Sequence, residues 1–495
     1  MVYPENSKIK WLPYNENSFQ QAKLQLKPIF LLISVPWSKW AQLYEKESLE
    51  DDAISKNLNS HFVCIFANGD RREDLVSKYG ASGLPLTQLF DFKGKKIANF
   101  SGHIGKDALM GLISNAASGK IEPELEKEIS IIEKKSQPLT TETISTFLSD
   151  FNSQIAYAYD ELYGGFGKGQ KAPLTHLLEY LLVLHSQDGK NLWRGIVEKT
   201  LRNMGQIMDK EEGGFFRASG NRDWSNPQYE KMLDSNSQIA SIYLKASKLL
   251  GNDAFKEIGI RNLEWLLSAL YAPKNGAFNG SQDSDGHYSE VSIEKRKTLR
   301  KPYIDQTKYC NWNCQAAIAF LHSHKITGNL KYFEIGDRAL SFVAKNLLTK
   351  TEGCFHYYSE QDGAKLQGNL NDNAWAAIAF LEAYRVGKQK EHLDFGIQIL
   401  NYMIANLYSE DKGAFIERNS KSNEMYRNSE LKSEKLPYPE NAISIWALLS
   451  AFNHTKDERY LRIAKETFAN FQYVSEDLNS TALFGQIALN LQTYI

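Results

Sequence analysis

The spacing of apolar residues changes once along this chain, near residue 140. Before that point come short continuous apolar runs of the kind that make buried strands: Phe30-Leu31-Leu32-Ile33, Phe62 to Phe66, Leu86 to Phe92 and Ile97 to Phe100. Helical stretches precede and separate the first two runs. The turn Lys93-Gly94-Lys95-Lys96 joins the last two, and residues 106–117 read as a closing helix. A βαβ unit followed by a hairpin and a helix predicts an α/β thioredoxin-like domain over residues 1–120. Gly83-Leu84-Pro85 precedes the third run, so Pro85 is the expected cis-proline.

From residue 141 onward the pattern is helical and it repeats. Gly164-Gly165-Phe166, Gly213-Gly214-Phe215, Gly276-Ala277-Phe278, Gly353-Cys354-Phe355 and Gly413-Ala414-Phe415 recur at uneven intervals. Each is followed by a loop and a helix, and three of these helices are apolar all round, as in Ala374-Trp375-Ala376-Ala377-Ile378. Helices of that kind are buried on every side. A turn, often with glycine at the cap (Gly251, Gly328, Gly387), leads to a second, amphipathic helix. Five such pairs start near Thr175, Asn236, Asn311, Asn371 and Glu440. Two leftover helices, 142–162 and 480–493, pair as a sixth. The expectation is an all-α (α/α)6 six-hairpin toroid over 141–495; an open solenoid of helix pairs is the alternative. Residues 121–140, charged and marked by Pro123 and Pro138, form the linker.

Composition narrows the function classes. Lys+Arg 58 against Asp+Glu 59 gives a net charge of -1, with no basic stripe for nucleic acid and no polybasic tail for a membrane. No apolar stretch is long enough to span a bilayer, and no signal-like segment opens the chain. Four cysteines (Cys64, Cys310, Cys314, Cys354) fit a reducing, cytoplasmic setting. Cys310 and Cys314 lie one helical turn apart without a second ligand pair, so they read as buried residues and no metal or cofactor is expected.

A working thioredoxin fold opens the helix after its first strand with two cysteines, whose thiolate does the chemistry. Here the segment reads Ser38-Lys39-Trp40-Ala41. A serine hydroxyl is too weak an acid to replace a thiolate, and alanine cannot resolve a mixed disulfide. Thiol–disulfide exchange is excluded, leaving a scaffold or a surface for a protein partner. The chain resembles the spermatogenesis-associated protein 20-like thioredoxin-domain family through Phe19, Lys27 to Leu31, Trp40, Glu47-Ser48-Leu49 and Asp70-Arg71-Arg72. The family motif looks like Cys-His-Trp-Cys-His at residues 38–42; only Trp40 is retained, so any redox or metal role of that motif does not carry over. The likeness continues through Gly213 to Arg217, Arg222-Asp223-Trp224, Glu230-Lys231-Met232-Leu233, Asn236, Gln282 to Gly286 and Asp372 to Ala377. It implies a barrel like those of six-hairpin glycosidases and sugar 2-epimerases.

Connectivity makes the six inner helices parallel, with their N-termini and the long loops 214–235, 278–310 and 415–439 on one rim, where a ligand pocket belongs. Carboxylates with aromatic platforms suit a sugar-like ligand. The catalytic candidates are Asp283, Asp285, Glu230 and Asp372. The ligand-binding candidates are Arg222, Asp223, Trp224, Tyr229, Lys231, Asn236, His287, Trp312, His356, Asn373, Trp375, Glu440 and Asn441. Three functions stay open. Glycosidic hydrolysis would pair Asp283 or Asp285 with Glu230 or Asp372. Epimerisation would use His287 and His356, with His322 and His324 expected exposed at the far helix end. A non-catalytic scaffold is the third, and Gln228, where the family resemblance implies histidine, points to it.

Overall fold

The computed structural model describes residues 7–80, 83–120, 138–189, 191–418 and 436–495. The chain divides into two compact units, Met1–Ile132 and Glu133–Ile495, described separately below. Most of the expected linker, residues 121–137, lies outside the described residues, as does most of the loop 415–439.

In the first unit a five-stranded sheet has the order β1-β3-β2-β4-β5. β1 (Trp11–Pro13), β2 (Ile29–Ser34) and β3 (Val63–Asn68) run parallel, whereas β4 (Leu86–Phe90) and β5 (Lys96–Ser101) are antiparallel. Helices α1 (Glu16–Gln25), α2 (Lys39–Tyr44), α3 (Asp52–His61), α4 (Glu73–Tyr79) and α5 (Lys106–Ala117) complete it. Both inner strands are buried at every position because helices cover them, and each is apolar up to its last residue, Ser34 or Asn68. The Leu84–Pro85 peptide is cis. The short edge strand β1 carried no readable apolar run. Cys64 belongs to the core, where burial pushes its thiol up to about 12. Ser38 caps α2 and Ala41 faces inward, while Trp40 stands 53% exposed.

The second unit contains twelve long helices among its described residues. Six are inner: α7 (Thr175–Asp188), α9 (Leu233–Leu250), α11 (Cys310–Thr327), α13 (Leu370–Gly387), α15 (Tyr438–Thr455) and α17 (Leu478–Leu491). Six are outer: α6 (Thr141–Ala158), α8 (Asn191–Met204), α10 (Asp253–Trp265), α12 (Leu330–Asn346), α14 (Lys390–Asn406) and α16 (Glu458–Ala469). Each inner helix packs on the next, and α17 returns to α7, so the ring closes. α6 packs on α17, so the two chain ends of the unit make the sixth hairpin. The toroid is therefore closed, not an open solenoid. No helix among the described residues is long and apolar enough to cross a membrane.

One device repeats at the rim. Asn236, Asn313, Asn373 and Asn441 each occupy the fourth position of an inner helix, and each is fully buried. Their Oδ1 atoms accept the backbone N–H of Phe215, Phe278, Cys354 and Phe415 at 2.6, 2.7, 2.9 and 2.9 Å. Their Nδ2 groups donate to the carbonyl just before the helix, of Met232, Tyr309, Asn369 and Pro437. One amide thus ties four of the five Gly-x-Phe segments to the start of the following helix and satisfies groups that burial would otherwise leave unpaired. In the fourth repeat the equivalent residue is Cys354, one position before Phe355. Gly214, at φ +75°, needs to be glycine twice over, because a side chain there would run into the Trp265 ring.

A second repeated device holds the first two turns. In Asp160…Gly164-Gly165-Phe166, Lys171 Nζ meets Asp160 Oδ2 at 2.9 Å, and Arg222 forks the same carboxylate at 2.7 and 2.9 Å. In Asp209…Gly213-Gly214-Phe215, Lys231 Nζ meets Asp209 Oδ2 at 2.8 Å and Arg296 adds a contact at 2.7 Å. Burial pushes the Asp209 carboxyl up, but Arg296 and Lys231 together hold it below the ordinary range.

Candidate functional site: the axial cavity of the toroid

Parallel helices that begin in step place equivalent residues at equal depth. On α9, α11, α13 and α15 the positions five, eight and twelve after the first residue share one helix face. Those positions line a narrow cavity between the inner helices: Gln238, Ser241 and Lys245; Gln315, Ile318 and His322; Trp375, Ile378 and Glu382; and Trp446. Thr175, His176 and Glu179 of α7 close the circle. Asp234, one position into α9, tops its stripe, and from there to Lys245 the stripe runs about 16 Å at 1.5 Å per residue.

The upper level is an amide girdle. Thr175 Oγ1 donates to Gln238 Oε1 at 2.6 Å, and Gln238 Nε2 donates to Gln315 Oε1 at 2.5 Å. The Trp375 indole lies near the His176 ring, 6.4 Å between centroids and 26° between planes. Burial drives His176 down to about 4, so this imidazole is neutral at neutral pH.

The lower level is ionic. Lys245 Nζ pairs with Glu179 Oε1 at 2.5 Å, and each of these side chains keeps 22% exposure, so the lumen is not sealed. Burial pushes Glu179 up, yet Lys245 outweighs it and keeps the carboxyl low. His322 Nε2 lies 2.9 Å from Glu382 Oε2, and Arg385 reaches that oxygen at 2.5 Å and His322 Nε2 at 3.2 Å. Burial raises the Glu382 carboxyl, but His322 and Arg385 win and bring it to about 2; burial and then Lys245 lower His322. With Glu382 accepting from Nε2–H, Nδ1 carries the lone pair, and Nδ1 is buried with no hydrogen-bond partner. The expectation that His322 is exposed fails because its position, twelve residues into α11, turns it toward the axis.

Of the ligand-binding candidates read from sequence, Trp375 lines this cavity. Several of the others are engaged elsewhere, and the structure corrects them. Asn236, Asn373 and Asn441 are rim clasps. Arg222 and Lys231 neutralise Asp160 and Asp209. Trp224 is 1% exposed and donates its indole N–H to the Tyr163 carbonyl at 3.1 Å. Asp223 accepts from Ser225 in an exposed turn, and Tyr229 donates to Glu290 at 2.6 Å. Trp312 packs on Tyr309, 4.4 Å between ring centroids. Glu440 sits half-buried in the first turn of α15, where its carbonyl accepts from Ser444. His287 and His356 do not face one another across the cavity. His287 is exposed on the short helix Gly286–Ser289, whereas His356 is fully buried with Nδ1 3.0 Å from both Asp372 oxygens.

That contact also engages Asp372, and Asp285 caps the short helix by accepting Tyr288 N–H at 2.9 Å. Asp283 and Glu230 each adjoin a short strand pair, Lys231–Met232 antiparallel to Ser281–Gln282. Glu230 is 2% exposed and bound to Arg217 at 2.6 Å. Asp283 is pushed up to about 7 by burial and by Asp305. Sequence reasoning missed His176, Glu179, Gln238, Lys245, Gln315, Glu382 and Trp446. The available signal was a polar stripe at 4-3-4 spacing on helices otherwise apolar all round.

Comparisons agree with both halves. The family model Thioredox_DsbH, described as a protein of unknown function (DUF255), matches residues 2–89. Spermatogenesis-associated protein 20 of Mus musculus is 25% identical over 308 residues, covering 56% of this chain and 39% of that protein. An uncharacterised protein of Caenorhabditis elegans is 25% identical over 357 residues, 67% of this chain and 47% of its own length. The chain therefore spans less than half the length of these curated relatives. Among solved structures, a sugar epimerase from a ruminal bacterium has a TM-score of 0.58 at 14% identity, covering 71% of this chain and 98% of that one. A D-mannose isomerase gives 0.57 at 10% identity (72% and 98%). A family 76 mannosidase from Bacteroides thetaiotaomicron gives 0.52 at 11% identity (72% and 100%). At these identities the structural matches establish the six-hairpin fold alone. With its thioredoxin-like N-terminal domain and these relatives, the chain is similar to the spermatogenesis-associated protein 20-like family.

Proposed function

We propose that the toroid binds a sugar-like polyol in its axial cavity and exchanges a proton with it, as an isomerase or epimerase does. The observation that carries this reading is His322: it lines the cavity, Glu382 holds its Nε2, and its Nδ1 lone pair has no partner. A neutral imidazole oriented by a carboxylate is a general base, able to take a proton from a carbon beside a carbonyl. Trp375 and Trp446 offer flat faces for the C–H side of a sugar, and Gln238 and Gln315 offer both donors and acceptors for hydroxyls. Hydrolysis is less well supported. It needs one protonated and one water-activating carboxylate. Both cavity carboxylates are held ionised by cations, and Glu230 is buried against Arg217. The proteins named above that share the ring are a sugar epimerase, a mannose isomerase and a mannosidase. A cytoplasmic setting, in keeping with four free buried cysteines, is part of the same proposal.

Thermal-shift screening against mono- and disaccharides tests binding, and deuterium uptake from D2O into the sugar tests proton transfer. A shift in the parent that Trp375→Ala abolishes is expected, together with uptake that His322→Gln abolishes. No shift across the panel removes the sugar site; a shift without uptake reduces the toroid to a binding protein.

A further inference from the structure

The first unit has a cavity of its own, which the sugar site of the toroid does not use. It lies beside the degenerate motif, between β1, the C-terminal ends of β2 and β3, and helix α2, and its volume is about 110 Å³. Leu32 of β2 pairs with Phe66 of β3, so the two share a face of the sheet, and alternation along β2 turns Ser34 to that face as well. All three line the cavity. Trp11, Tyr44 and Leu49 complete its apolar walls, and Trp11 meets Phe66 edge-on with 6.0 Å between ring centroids. Ala41 lines it too, where the family resemblance implies a cysteine, so no thiol is among the lining residues.

The polar part of this wall is made of oxygens. Ser34 is only 8% exposed, and its hydroxyl has no hydrogen-bond partner among the described residues. Gln42 donates Nε2 to the Pro36 carbonyl at 2.9 Å, which leaves its Oε1 as an acceptor. Helix α2 runs on into a π-helical turn, Glu45–Leu49, in which the Glu50 N–H donates to the Glu45 carbonyl at 2.9 Å. Both glutamates join the lining, Glu45 half-buried and Glu50 exposed. Burial and then Glu50 push the Glu45 carboxyl up, and no hydrogen bond or cation pulls it back. Among the described residues no lysine, arginine or histidine lines the cavity. Lys8, which feels Glu50 from a distance, is bonded to Asp52 at 2.5 Å. A buried acceptor without a donor is costly, and a cation carrying several N–H groups is its best complement. Aromatic walls favour the same charge.

We infer that this cavity of the first unit is a second ligand site, taking a small organic amine: a primary ammonium carried by one aromatic ring on a short stem. An apolar cavity of about 150 Å³ takes a benzene-sized molecule, so one ring is the size limit. The ring would pack among Trp11, Tyr44 and Phe66, and the ammonium would bring three donors and a full charge to the oxygens of the wall. An alcohol of the same shape brings one donor and no charge, and a carboxylic acid meets repulsion from Glu45 and Glu50. The site is independent of sugar binding in the toroid.

The test is titration calorimetry of the full chain with 2-phenylethylamine, 2-phenylethanol and 3-phenylpropanoate at about pH 8, where glutamate is ionised and an alkylamine is still protonated. The amine is expected to bind on the order of tenfold more tightly than the alcohol, and the carboxylate not at all. Glu45→Gln keeps the size of a half-buried side chain and should bring the amine down to the alcohol, whose own affinity stays within about twofold. Ala41→Leu fills the cavity and should abolish binding of both. Equal binding of amine and alcohol by the parent overturns the inference, as does an amine preference that survives Glu45→Gln, or no binding of any of the three. The parent and Glu45→Gln decide the matter even if Ala41→Leu does not fold.

Discussion

Two sets of buried polar residues in the toroid look alike in the sequence and behave oppositely in the structure. At the rim, the ion pairs and the clasps are completed within the protein: Asp160 with Lys171 and Arg222, Asp209 with Lys231 and Arg296, and four asparagines with backbone. Along the axis, His322 Nδ1 has none. A polar group completed by the fold stabilises that fold; one left incomplete beside a cavity is available to a ligand. The difference predicts that rim substitutions damage stability first, and that axial substitutions damage binding first.

The largest effect belongs to the rim charges. Asp209→Ala strands Lys231, which is fully buried, and is expected to cost about 3–5 kcal/mol in denaturant melts. The double change Asp209→Leu with Lys231→Met should cost clearly less, because no charge is left without a partner. If Asp209→Ala melts like the parent, the rim is not held by this pair and the contrast with the axis is lost.

Next come the clasps. Asn313→Ala removes the acceptor for Phe278 N–H and the donor to the Phe278 and Tyr309 carbonyls, with an expected loss of about 2–4 kcal/mol. Hydrogen exchange at the Phe278 amide sharpens this. It should speed up in the variant while amides of the first unit hold their rates. The axial counterpart is His322→Gln, expected to change stability by less than about 1 kcal/mol, because Arg385 still holds Glu382, while lowering proton exchange on the sugar at least on the order of a hundredfold. Equal loss of stability from both changes would erase the distinction.

How far the sequence disclosed this arrangement follows from the same contrast. Strands with continuous apolar runs, the cis-proline and α5 were legible because local composition decides them. The ring was legible because six helix pairs with one buried face each have few other ways to cover it. The Asn clasps were not, since a buried asparagine looks the same whether it binds backbone or ligand. The fourth repeat was read one residue late for a related reason: Phe355 fits the Gly-x-Phe spelling, while the backbone pairing falls on Cys354. His322 was misplaced because depth along an inner helix was judged from distance to the rim. What decides its direction is the stripe it shares with Gln315 and Ile318.

The smallest expected effects are in pH dependence, and they separate Asp283 from the cavity's His176 by sign. Asp283 has its folded value raised to about 7 from an ordinary 3.8, so the folded state holds the proton more tightly. Its contribution to stability is complete below about pH 4 and is lost as pH rises through 7. His176 is lowered to about 4 from 6.5, so its contribution is present above about 6.5 and is lost as pH falls through 4. Between about pH 4 and 6.5 the two slopes oppose and partly cancel in the parent. Asp283→Asn should therefore leave a stability that climbs more steeply with pH across that window, and His176→Gln one that declines. Both groups touch solvent, which flattens the slopes but does not change their signs. Thermal melts across the window decide it: identical profiles in parent and Asp283→Asn would mean that this carboxyl titrates like an ordinary surface acid.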